Sequence, residues 1–198
     1  MGIKASIILL LLFFLSCNDQ QELPVLSHYI NEQGKRTEYD ISKFHFTDHF
    51  GNKFNDQSIK DKVVLMNFFF TRCPTICPKM IVPLKDIAED FRNNDEFLIN
   101  SISIDYINDT TSVLHSYAEN HDALMSSNWY FLHSTEKELL HISELLRTSF
   151  KIEKNTEDFY HSSYAALIDK KQRIRGFYNL LDDESIITLK SDIDLLLE

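Results

Sequence analysis

Residues 62–91 read KVVLMNFFFTRCPTICPKMIVPLKDIAEDF. Lys62 to Phe70 is a nearly unbroken apolar run, rich in β-branched and aromatic residues, which predicts a strand covered on both faces. From Pro78 to Phe91 the apolar residues Met80, Ile81, Leu84, Ile87, Ala88 and Phe91 recur at helical spacing, and Pro78 suits a first helical turn. A buried strand therefore passes directly into a helix, and the turn between them carries Cys73 and Cys77.

The flanking sequence continues this alternation. Phe44–Thr47 and Asp48–Phe54 predict a short hairpin turning at Gly51. Glu96–Ile104 reads as a second strand, Thr111 to about His121 as a short helix, and the aromatic Trp129–Phe131 as a core strand. Thr135 with Glu138 three residues on resembles a capping box, and the apolar stripe behind it predicts a helix to near Phe150. Tyr164–Ile168 and Arg173–Tyr178 flank the polar tip Asp169–Gln172 as a hairpin, and a last helix runs over Asp183–Leu197. This order implies an α/β fold, a mixed central sheet with helices on both faces.

The turn is suited to thiol chemistry. Unpaired N–H groups and partial positive charge at a helix N-terminus favour thiolate over thiol. Four residues make about one helical turn, so both sulfurs can point from one face with room for an ion between them. Soft thiolates select copper(I), zinc or iron–sulfur centres over hard cations. Two blander readings stand beside this one. Buried core cysteines are disfavoured because a turn flanked by Pro74 and Pro78 is expected to be exposed. A structural disulfide closing so small a loop would remove little chain entropy.

Of the eight His, His115, His121 and His141 fall in helices and are expected to be solvated, while His45 and His49 belong to the first hairpin. His161 differs, because the loop Asp158–Ser163 places it just before the strand that starts at Tyr164. It is the candidate third donor.

The N-terminus reads MGIKASIILLLLFFLSC. One Lys, an apolar run about half the ~20 residues that span a bilayer, and Ser16 before Cys17 predict a signal peptide over residues 1–16. The L-S-C ending resembles a bacterial lipobox, which makes Cys17 the lipidation site. The domain is then expected in the bacterial cell envelope, lipid-anchored and facing the periplasm. Residues 17–40 are polar and aperiodic and read as a tether, leaving 41–198 as the globular domain. Thirty acidic against 20 basic residues give a net charge of −10, the wrong sign for a nucleic-acid partner.

The segment FFFTRCPTICP between strand and helix, the strand ending in SISID, and the later His before a strand ending in ID together resemble the Sco/SenC family. The resemblance covers roughly Phe44 to Leu197. It implies a thioredoxin-like fold carrying an N-terminal β-hairpin, copper held by Cys73, Cys77 and His161, and Asp105 near the site. It also implies that Cys73 and Cys77 form a redox-active disulfide pair. Where the family continues with Pro after that Asp, this chain has Tyr106.

The partner implied is an apo copper-acceptor protein, a cytochrome c oxidase subunit awaiting its copper centre. Copper(I) accepts two or three soft donors, and copper(II) would recruit a further one. The alternatives are a thiol-disulfide oxidoreductase that reduces acceptor cysteines before metallation, or a redox or copper sensor. Thioredoxin-type reductases use a cis-Pro late in the domain, and no Pro follows residue 83, which weighs against general disulfide exchange.

Overall fold

The computed structural model describes residues 22–147, 150–152 and 159–198; of 150–152 and 159–161 it describes the backbone. The leader 1–16 and Cys17 lie outside the described residues.

The expected buried strand is β5, Val63–Phe69, with all seven residues buried. It pairs in parallel with β6, Phe97–Ser103, and β6 in parallel with β7, Trp129–His133. The hairpin of β3, His45–Asp48, and β4, Lys53–Asn55, turns at Gly51, whose φ of +86° suits glycine, and adds to β7 as antiparallel edge strands. On the other side of β5 lies β10, Tyr164–Ile168, antiparallel and followed by β11, Ile174–Asn179. The order β11-β10-β5-β6-β7-β3-β4 puts the parallel strands at the centre, so they are apolar on both faces.

Four helices accompany this sheet among the described residues. α1 spans Cys77–Asp90 and buries Cys77, Met80, Leu84, Ile87 and Ala88 along one stripe. Pro78 lies in its first turn, and Pro83 sits inside it, where its ring nitrogen cannot donate to the preceding turn. α2, Thr111–Asn120, starts on the Thr110 hydroxyl, which accepts from Val113 N–H. The Tyr117 ring of α2 packs on Phe69 and Phe131, while Lys190 of α4, Asp183–Leu197, reaches Asp90 of α1 at 2.6 Å. α3, Glu136–Leu146, completes the set, and helices cover both faces of a thioredoxin-like sheet.

Three expectations shift. α3 stops at Leu146 because Arg147 turns left-handed at φ 50°, and Phe150 belongs instead to β8, Phe150–Ile152. The Thr135 hydroxyl caps Glu138 N–H as expected, but the Glu138 carboxylate accepts from His45 N–H at 2.9 Å instead of closing the box. The stretch expected to be a tether is, from Leu23 onward, part of the packed domain. There β1, His28–Ile30, pairs with β2, Arg36–Glu38, Leu26 N–H donates to Ile174 O at 2.8 Å, and Tyr39 hydroxyl donates to Leu145 O at 3.0 Å. Its strands are three residues each, too short for alternation to register, and it is held by pairing across the chain.

Candidate metal centre

Both cysteines lie at the C-terminal end of β5, where the chain turns into α1. The loop itself is exposed at Pro74 and Thr75, but the thiols point inward: Cys73 is 8% exposed and Cys77 3%. The expectation of exposed thiols is thereby corrected; both are buried, and neither is in a disulfide. Burial raises a thiol's pKa, and at Cys73 this is outweighed by the N–H groups of Cys77, Thr75 and Ile76 and by the Cys77 thiol, all directed at its sulfur. The net effect holds Cys73 below the ordinary thiol range. Burial dominates at Cys77; the backbone N–H of Phe70 opposes it, and the adjacent Cys73 sulfur and Asp109 push its pKa up further. The turn thus makes Cys73 the more acidic of the two thiols, with the Cys77 thiol beside it.

Beneath Cys77 lies a cavity of about 10 Å³ among Asn67, Phe69, Met80 and Tyr117, enough for a single water, so a larger group reaches that sulfur from the loop side.

The loop is fixed from behind by two buried carboxylates. Asp105, 1% exposed, accepts from Arg72 at 2.8 Å and from Asn108 Nδ2 at 2.9 Å, and so holds the residue that precedes Cys73. Asp109, fully buried, accepts from Thr71 N–H at 3.0 Å, from the Thr71 hydroxyl at 2.5 Å and from the Ser103 hydroxyl at 2.5 Å. Its own carbonyl faces His133 Nδ1 at 2.9 Å. The role of Asp109 is not legible in the sequence, where Asn108–Thr111 reads as polar residues ahead of a helix.

His161 closes β9, Phe159–His161, opposite Phe150 of β8. The chain then enters β10, whose Ala166 pairs with Met66 and Ile168 with Val64, so the beginning of β10 lies at the thiol end of the sheet. The backbone therefore delivers His161 to the same end as Cys73 and Cys77; its side chain lies outside the described residues. Thiolate and imidazole are a donor set that suits a soft metal ion. Among the described residues no group of three or more His, Cys, Asp and Glu is placed to hold a metal ion.

The sequence model of the SCO1/SenC family matches residues 31–195. The chain belongs to the SCO1/SenC family. It is similar to the SCO1 protein homolog of Bacillus subtilis (strain 168), with 30% identity over 190 residues, 93% of this chain and 91% of that protein. The fold is that of the SCO1/SenC family lipoprotein from Bacillus anthracis str. Ames, at a TM-score of 0.73 and 22% identity over 81% of this chain and 96% of that one. It is also that of Bradyrhizobium japonicum ScoI with copper bound, at a TM-score of 0.65 and 23% identity over 77% of this chain and 99% of that one.

Proposed function

We propose that this SCO1/SenC protein is a copper metallochaperone that takes the ion on Cys73, Cys77 and His161 and releases it to an apo acceptor, a cytochrome c oxidase subunit. The observation that carries the reading is the thiol pair at the start of α1: two sulfurs outside any disulfide, their loop braced by Asp105 and Asp109, on the strand end to which the backbone also brings His161. Copper(I) is met by two soft sulfurs and one imidazole, and the few donors suit a site that must give up its ion by ligand exchange. The Cys77 proton leaves when the metal binds, so uptake releases a proton and weakens as pH falls. Cys17 carries the lipid that holds the protein in the bacterial cell envelope facing the periplasm. Among the described residues no helix is long and apolar enough to cross a membrane.

The test is transfer. Copper-loaded protein is mixed with an apo cytochrome c oxidase subunit and the two are separated; the reading expects copper on the subunit and is overturned if copper stays bound.

The asymmetry of the two thiols favours a second reading, reduction of acceptor cysteines. The Cys73 thiolate would attack an acceptor disulfide and expel one thiolate, and Cys77 would then displace the second, leaving the acceptor as dithiol and this pair as disulfide. His161→Ala separates the two. Chaperone activity needs the imidazole as a ligand, whereas exchange needs only the thiols.

A further inference from the structure

Glu22 to Ser27 are strapped to the edge of the sheet. The Arg175 guanidinium on β11, its side chain 4% exposed, donates to Leu23 O and to Pro24 O at 3.3 Å and also binds Asp169 at 2.8 Å. Beside it Leu26 N–H donates to Ile174 O, and Ile174 N–H donates to the buried Ser27 hydroxyl at 3.2 Å. The strap thereby covers the outer edge of β11, which would otherwise present unpaired backbone groups.

Register fixes which end of the molecule this is. Ile174 pairs with Ile168, and Ile168 with Val64, at the start of β5. The thiols follow the other end of β5, and seven residues at ~3.3 Å separate the two ends by about 20 Å.

We propose that the sheet end opposite the thiols, where residues 23–27 dock against β11, faces the membrane, so that the anchored domain presents Cys73 and Cys77 away from the bilayer. This rests on the reading of Cys17 as lipidated. Six residue steps separate Cys17 from Leu23, and whatever their conformation they reach no more than about 20 Å. Laying the thiol end on the bilayer would use that entire reach simply to run back along the sheet.

The strapped end offers two exposed amines, Lys60 just before β5 and Lys171 in the β10–β11 turn. A consequence for the proposed activity is that an acceptor must offer its copper site at a height above the membrane, not at its surface.

The test is amine footprinting of the full lipidated chain on vesicles of phosphatidylethanolamine and phosphatidylglycerol, against the unacylated chain in solution. Acetylation of Lys60 and Lys171 should slow severalfold on vesicles, while Lys79, in the first turn of α1 at the thiol end, should keep its rate. Inserting about 20 Gly/Ser residues after Gln21, a flexible coil that leaves the strap intact, should abolish that contrast while the protein still floats with the vesicles. Flotation with Lys79 slowed, or with all three rates equal, overturns the orientation and leaves the anchor standing. Failure of the mature chain to float overturns the anchor, and the orientation with it.

Discussion

At the scale of single residues, Cys73 and Cys77 differ in what surrounds each sulfur more than in their position in the chain. Burial raises both thiols, but Cys73 receives the N–H groups of Cys77, Thr75 and Ile76 whereas Cys77 receives that of Phe70, so the first is held below the ordinary thiol range and the second above it. Limited alkylation of the reduced protein at neutral pH, read by peptide mass, should therefore label Cys73 first; prior labelling of Cys77 would contradict this. His49 gives a pH prediction. Its ring packs among Phe50, Tyr130 and Phe131, burial pushes its pKa below 6.5, nearby Asp48 opposes this, and His115 adds to it. Nδ1 accepts Phe131 N–H at 3.2 Å, which occupies the lone pair a second proton would need. The unfolded chain then binds the proton more readily than the folded one, so stability is complete above about 6.5 and declines as pH falls below it. Melting temperatures between pH 7.5 and 5 should show the decline, and His49→Asn, which keeps an acceptor but does not titrate, should reduce it. The spacing of the cysteines and the direction of the Cys73 shift are legible in the sequence. Their burial is not, because it depends on Asp105 and Asp109 drawing the loop inward from a distant segment.

At the scale of elements, the turn between β5 and α1 is only as firm as the loop after β6. Asp109→Ala would strand the buried donors of Thr71 and Ser103, at a cost of about 2–3 kcal/mol in denaturant unfolding. Asp109→Asn, which keeps one acceptor oxygen, should lose less; equal losses would show that Asp109 acts only by filling space. Long elements with a strong period, β5, β6, α1 and α4, can be read directly from the sequence, because burial of a whole face imposes the pattern. The end of α3 cannot, since the apolar stripe continues past the left-handed Arg147 that stops it.

Across the whole molecule, the N-terminal strap belongs to the packed domain. Its polar, aperiodic sequence gives no hint of packing, because its stability comes from Arg175, Ile174 and Tyr39 contacts far along the chain. Deleting residues through 27 should lower stability relative to deletion through 21 by about 2–4 kcal/mol, as Arg175 loses two carbonyl acceptors and β11 its cover. Calorimetry of the two truncations checks this, and equal melting temperatures would mean that the strap is only loosely attached.

In the function proposed, two sulfurs and one imidazole on a single strand end hold copper. Its most direct test is copper(I) titration of the reduced protein against a competing chelator, beside Cys73→Ser, Cys77→Ser and His161→Ala. One tightly held ion is expected, with the chelator winning it in all three variants. Full affinity in His161→Ala, or no competitive binding by the unaltered protein, would contradict it.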